Sequence, residues 1–169
     1  MTRTIYTIGH STRPIADFIA LLHARNVQVL ADVRTMPGSK WQPQYNRYAL
    51  EQELKKENIA YIHLPALGGK RRADDSAATD DAISQKIPGY AAYMRTDIFR
   101  QGLAELEAIA TDKITAYMCA EADWRNCHRS KISDELYDRG WNVVHIMSLN
   151  VTMRHVSNGA KGVQGNLFG

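Results

Sequence analysis

Five short apolar runs, at residues 5–8, 27–33, 59–64, 114–118 and 143–147, punctuate the chain, and between them lie stretches that carry apolar residues at helical spacing. No other feature of the sequence constrains the fold so strongly. Runs this short and rich in β-branched side chains read as buried strands, because a solitary helix needs more turns. Strands that alternate with helices pair in parallel, since each helical crossover returns the chain to the same end of the sheet. The expectation is an α/β fold: a single domain with a mainly parallel sheet of about five strands and helices on both faces, Rossmann-like and three-layered.

The helical stretches follow from spacing and punctuation. Ile15, Phe18, Ile19 and Leu22 place one apolar face on a helix over 14–25, which Ser11 or Thr12 can cap, with Pro14 in its first turn. Asn46 can cap a second helix running to about Glu57, with Leu50 and Leu54 inward. Residues 89–110 read as one or two helices, with Asp97 a candidate cap for the latter. Ser130 to Arg139 carries Ile132 and Leu136 on one face and stops at Gly140, where a left-handed residue ends a helix. The connection Pro65 to Pro88 is long. It begins with Gly68, Gly69, Lys70, Arg71 and Arg72, able to wrap a phosphate or to stay a solvated basic tip, and continues into an acidic stretch expected to be mobile. Residues 1–149 make the domain, and 150–169 are expected to be a flexible tail.

Composition narrows the class. At 169 residues and 44% hydrophobic, the chain can bury one full core. A formal charge of +3 tolerates nucleic acid as a partner without demanding it. The first residues lack an apolar leader and no stretch approaches the ~20 apolar residues of a membrane span, so no membrane partner is expected and the compartment expected is the cytoplasm. Two cysteines are too few for a disulfide framework; their uses are packing, metal binding or reactivity.

In open α/β sheets, ligands bind beyond the carboxyl ends of the strands. Four segments deliver polar residues there: Gly9, His10 and Ser11; Asp32 and Arg34; Leu67 to Gly69; and Cys119, Glu121, Cys127, His128 and Arg129. The last group, within Ile114 to Leu136, gathers most of the reactive side-chain types of the protein. Cys127 to Arg129 fall at a helix start, whose unpaired N–H groups and partial positive charge favour an anion or a thiolate. The loop after the second strand adds Ser39, Lys40, Trp41 and Tyr45, an aromatic and basic mixture suited to a nucleobase beside a phosphate, or to covering the end of the sheet.

The motifs TIGHS (7–11), DVRTMPGSK (32–40), HLPALGGKRR (63–72), YMRTDIFRQGL (93–103) and CAEADWRNCHR (119–129) resemble the domain of unknown function 488 family over roughly residues 4–147. The resemblance implies an α/β fold of this kind and marks Gly9, His10, Ser11, Asp32, Arg34, Pro37, Ser39, Gly68, Cys119, Glu121, Cys127, His128 and Arg129 as positions that recur in the family. It implies no activity.

Several chemistries fit these residues. Cys119 to Arg125 has the C-x5-R spacing of a phosphatase loop, but Glu121, Asp123 and Trp124 bring charge and bulk where a phosphate cradle wants glycine. A metal, zinc in the first instance, would draw on Cys119, Cys127 and His128 with His10, at a spacing unlike a zinc knuckle; no other cofactor is expected. In the enzyme reading Glu121, with Asp32, serves as acid or base, Cys119 or Cys127 as nucleophile and His10 beside them. Ser11, Arg34, Ser39, Gly68, Gly69, His128, Arg129 and Trp41 then hold a phosphate-bearing or nucleotide-like anion. In the binding-module reading the same rim holds a nucleotide or nucleic acid without turnover. Arg34 and Arg129 could equally be tied up by Asp32 and Glu121, with the cysteines packed as small hydrophobes. The segment Gln164 to Phe168 looks like a peptide that docks on a DNA sliding clamp.

Overall fold

The computed structural model describes residues 2–69 and 89–157. The strands are β1 (Thr4–Gly9), β2 (Val29–Asp32), β3 (Ala60–His63), β4 (Thr115–Cys119), β5 (Asn142–Ile146) and β6 (Thr152–Arg154). The helices are α1 (Ile15–Ala24), α2 (Arg47–Lys56), α3 (Tyr90–Tyr93), α4 (Asp97–Asp112) and α5 (Arg129–Asp138), with 3-10 turns at Pro43–Tyr45, Pro65–Leu67 and Trp124–Asn126. The sheet order is β3-β2-β4-β1-β5-β6, parallel throughout except for β6, which runs antiparallel to β5.

Side chains alternate across the sheet with the period of two that a strand imposes. Ile8, Leu30, Ala116, Met118 and Ile146 face one way and meet Phe18, Leu22, Leu50 and Leu54 of α1 and α2. Ile5, Ala31, Tyr117, Cys119 and Val143 face the other way and meet Phe99, Leu103 and Leu106 of α4 with Ile132 and Leu136 of α5. Both faces are thus covered, which gives the three layers that the alternation of runs predicts. The helix after β1 packs on one face and the helix after β4 on the other, although the two strands are neighbours. The chain therefore parts in opposite directions at their carboxyl ends, as at the switch point of an open α/β sheet.

Three local expectations are revised. The sheet has a sixth strand, and it lies in the segment expected to be a tail: Val144 pairs with Arg154 and Ile146 with Thr152. Thr96 rather than Asp97 caps α4, accepting a hydrogen bond from the Phe99 N–H at 3.3 Å. Asn46 precedes α2 but turns its side chain to the Ser39 N–H at 2.7 Å, pinning the loop instead of the helix. The Lys70 to Arg72 tip, the acidic stretch after it and the Gln164 to Phe168 segment lie outside the described residues.

Candidate functional site: a buried thiol pair on an arginine

Gly9 and Cys119 are register partners at the carboxyl ends of β1 and β4, and the pairing continues past the strands through His10 N–H to Cys119 O (3.0 Å) and Ser11 N–H to Ala120 O (2.9 Å). Ser11 takes a left-handed φ of +47° to complete this turn. A non-glycine residue held there costs roughly 1–2 kcal/mol, which marks a backbone that its surroundings over-determine. The loop after β4 then crosses directly over Gly9. A β-carbon on Gly9 would collide with the Glu121 carbonyl and lie 2.9 Å from Arg129 Nη2.

Beneath that loop, Cys119 Sγ and Cys127 Sγ lie 3.0 Å apart, both as free thiols. Arg129 is 1% exposed and every arm of its guanidinium is occupied. Nε donates to Cys119 Sγ at 3.0 Å, Nη1 to Thr7 Oγ1 at 3.0 Å, and Nη2 to the carbonyls of Glu121 and Ala122 at 2.6 and 3.3 Å. Its backbone N–H, at the start of α5, donates to Cys127 Sγ at 3.4 Å. Burial pushes the Cys127 thiol up, but the hydrogen bond from Cys119 and the charge and N–H groups of Arg129 outweigh it and bring Cys127 down to about 7. Burial and the loss of its proton's freedom to Cys127 drive Cys119 the other way, well above an ordinary thiol. The two thiols are coupled, and the hydrogen bond between them favours loss of a proton from Cys127 before Cys119.

A chain of hydrogen bonds leads from Arg129 to the surface. Thr7 Oγ1 lies 2.7 Å from His145 Nδ1, His145 Nε2 lies 3.0 Å from His155 Nδ1, and His155 Nε2 lies 2.8 Å from Asp134 Oδ1. Its two ends fix its direction. A guanidinium can only donate and a carboxylate accepts, so with one proton on each ring Thr7 donates to His145, and each histidine carries its proton on Nε2. Burial first, then the neighbouring charges, lower His145 to about 2 and keep it neutral. Trp124 stacks flat on the His145 ring at 4.1 Å, and Arg125 lies over Trp124 at 4.9 Å.

A second cluster stands at the end of β2. Asp32 is fully buried and receives Arg34 through Nε (2.9 Å), Nη2 (2.7 Å) and the backbone N–H (3.1 Å), with the Tyr61 hydroxyl at 2.6 Å. Arg34 Nη2 also donates to Tyr45 O at 2.7 Å, and Nη1 reaches His10 Nε2 at 3.4 Å. His10 gives its Nδ1 proton to Ser11 O at 2.8 Å and stacks on Tyr45 at 4.2 Å. Burial lowers it to about 4, so the ring is neutral at physiological pH. His128 donates through Nε2 to Val33 O at 2.8 Å, and a β-carbon on Gly69 would lie 2.7 Å from its Nδ1. A β-carbon on Gly68 would collide with Thr35.

The rim therefore brings Cys119, Cys127 and Arg129 into one group and His10, Asp32 and Arg34 into another. Glu121 contributes its carbonyl to Arg129 while its side chain is exposed, so Arg129 is not tied to that carboxylate. Asp32 is likewise paired with Arg34 and Tyr61, not with Glu121. Ser39 accepts the N–H groups of Trp41 and Gln42 through Oγ and shapes the loop. Trp41 is 87% exposed, whereas Tyr45, which the sequence placed on display with it, is core and donates its hydroxyl to Arg13 O. Arg125 pairs with Asp123 and covers Trp124, away from any phosphate cradle. Among the described residues no group of three or more His, Cys, Asp or Glu side chains is arranged to hold a metal ion, and the grouping of Cys119, Cys127 and His128 as ligands does not form. Thr7, Asp134, His145 and His155 escaped sequence reasoning. The one available signal was a histidine inside the apolar run of β5.

The family described as domain of unknown function DUF488 matches residues 14–136. The match holds both cysteines, Arg129 and the Asp32–Arg34 cluster. It is narrower than the span of the motif resemblance and leaves Gly9, His10 and Ser11 outside. No curated protein and no solved structure matches the chain.

Proposed function

The chain belongs to the DUF488 family, and from the geometry of its rim we propose that it is a thiol-dependent enzyme, a transferase or hydrolase in which Cys127 is the nucleophile. One observation carries this reading. The start of α5 and the Arg129 guanidinium, the features best suited to an external anion, are spent inside the protein on two sulfurs 3.0 Å apart. A protein that only held an anion would turn them outward. Buried donors aimed at sulfur instead stabilise a thiolate, the reactive form of cysteine.

In this reading Cys127 attacks an electrophilic centre of the ligand to give an S-substituted intermediate, which water or an acceptor then resolves. Cys119 holds the proton that the pair shares, Arg129 supplies the counter-charge, and Glu121 on the covering loop is the acid or base for the leaving group. The ligand is a phosphate-bearing or nucleotide-like anion. Trp41 offers a stacking face, and the exposed Lys40 and Arg47 offer positive charge. The Asp32–Arg34–His10 cluster fixes the wall between the strand ends rather than touching the ligand, because its charges already satisfy one another.

A non-catalytic nucleic-acid module is the second reading. It is favoured by the exposure of Met36 (72%), Trp41 (87%) and Tyr48 (76%) on the stretch that carries Lys40 and Arg47. Site-resolved alkylation of the native protein across pH, with inorganic phosphate, nucleotides or short single-stranded DNA present, separates the two. The enzyme reading expects Cys127 to react with a midpoint near 7 and one ligand class to protect it. Inert thiols up to the point of unfolding, together with DNA binding that survives Cys127→Ser, would leave only the module.

A further inference from the structure

The two sulfurs that share a proton are also placed to share electrons. A disulfide needs its sulfurs ~2 Å apart. Cys119 Sγ and Cys127 Sγ start at 3.0 Å, on a strand end and a helix start that are held to one another through Arg129. The remaining gap is ~1 Å. We propose that this pair is a two-electron redox centre that reduces small hydroperoxides, Cys127 reacting first and Cys119 resolving. The proposal rests on the reading of Cys127 as a thiolate and names a substrate class that the same sulfur would take.

The chemistry balances without a metal or cofactor. The Cys127 thiolate attacks the terminal oxygen of ROOH. An S–O bond forms as the O–O bond breaks, and the electron pair leaves on RO⁻, which takes a proton from water to become the alcohol. Cys127 is now a sulfenic acid. Cys119 then attacks the Cys127 sulfur. The S–S bond forms, the S–O bond breaks, and the Cys119 proton leaves with the hydroxide as water. One thiolate, one thiol and one hydroperoxide have become one disulfide, one alcohol and one hydroxide, the hydroxide being what remains when RO⁻ takes its proton from water; sulfur is oxidised and the peroxide oxygens are reduced. A small external dithiol restores the pair by exchange, its thiolate attacking one sulfur of the disulfide and its second thiol releasing the other as a mixed disulfide resolves.

Burial selects the oxidant. Cys119 is 2% exposed and Cys127 4%. A hydroperoxide presents a single terminal oxygen to one sulfur, the least demanding approach to a thiol so little exposed. Arg129 donates its guanidinium Nε to Cys119 Sγ and its backbone N–H to Cys127 Sγ, so a fixed positive charge stands beside the pair as negative charge leaves on the oxygen. The raised proton affinity of Cys119 keeps it a thiol until hydroxide is there to take the proton, which orders the two steps.

The test uses the full, reduced chain and one equivalent of hydrogen peroxide, followed by denaturing alkylation and trypsin. Cleavage at Lys113, Arg125 and Arg129 puts the cysteines on separate peptides, 114–125 and 126–129. The expected product is those two peptides cross-linked and separable by dithiothreitol, formed about tenfold faster than free cysteine reacts near neutral pH. Cys119→Ser should stop at a Cys127 sulfenic acid that dimedone traps, and Cys127→Ser should leave Cys119 reduced. Peroxide that leaves both thiols intact, or that carries Cys127 to sulfinic acid with no cross-link, overturns the redox role while ready alkylation of native Cys127 still upholds the thiolate. If native Cys127 also fails to alkylate below pH ~8, the thiolate reading falls and the redox role falls with it.

Discussion

The Glu121 carbonyl occupies the space that a β-carbon on Gly9 would need. That contact joins the end of β1 to the loop after β4 and sets the roof over the thiol pair, because the same carbonyl accepts Arg129 Nη2. Gly9→Ala must push the loop away and Arg129 with it. The expected loss is about 3 kcal/mol, since the obstacle is backbone and cannot swing aside as a side chain can. Urea denaturation reads the loss, and Cys127 alkylation should shift to higher pH in the same variant. Unchanged stability would mean that the loop is free to move.

Arg129→Lys should behave as a drastic change. One ammonium cannot reach Thr7, Cys119 and two carbonyls together, so buried acceptors are left without donors and the thiolate loses its fixed counter-charge. Stability should fall by about 3 kcal/mol, and the Cys127 alkylation midpoint should rise from about 7 towards the ordinary thiol value of 9. A midpoint that stays put would assign the acidity to Cys119 alone.

Much of the fold was legible because its determinants are local. All five apolar runs became strands, and the Ile15, Phe18, Ile19, Leu22 spacing became the buried face of α1. Cys119, Cys127 and Arg129 were legible as one site because strand ends and helix starts in α/β folds converge. What escaped depends on pairing across distance. Thr152–Arg154 carries no apolar pattern, and it becomes a strand only because β5 offers an open edge. His145 reads as a strand residue until Thr7 and His155 are found on either side of it, separated from it by 138 and 10 positions. The pairing of Arg34 with Asp32 was one of the two alternatives the sequence offered for that arginine, whereas the engagement of Arg129 with Thr7 and backbone carbonyls, in place of the Glu121 carboxylate, is a fact of packing that no spacing reveals.

Trp41→Ala should separate binding from folding. At 87% exposure the side chain buries little, and stability should stay within about 0.5 kcal/mol of the parent. Affinity for single-stranded DNA or nucleotides, followed by fluorescence anisotropy at fixed salt, should fall by about 1–3 kcal/mol if the ring stacks on a base. Equal loss with phosphate alone would argue against stacking.

Acid should destabilise the protein through its neutral histidines. His10 is lowered from 6.5 to about 4 and His145 from 6.5 to about 2. Below the unfolded value of 6.5 the unfolded chain binds protons that these folded rings refuse. Their contribution is therefore complete above pH 6.5 and is lost as pH falls towards 4, continuing towards 2 for His145. By pH 4 the His10 share alone is on the order of 3 kcal/mol. NMR titration separates this from the carboxylates: both rings should remain neutral from pH 8 to 5, and a ring titrating near 6.5 would remove it from the account.

The direction of the chain from Arg129 to Asp134 is open to measurement. His145 and His155 should each carry the proton on Nε2, the tautomer imposed by a donor at one end and an acceptor at the other, whereas His10 should carry it on Nδ1, where Ser11 O accepts. Long-range proton–nitrogen correlation distinguishes the two forms. Thr7→Val then cuts the chain where it is fully buried: Arg129 Nη1 loses an acceptor and His145 Nδ1 loses a donor, at nearly constant side-chain volume. The expected cost is about 1–3 kcal/mol, with His145 released into a mixture of tautomers. If His145 keeps a single tautomer in Thr7→Val, the His155–Asp134 end sets the direction by itself, and Arg129 is positioned by the sulfurs and carbonyls alone.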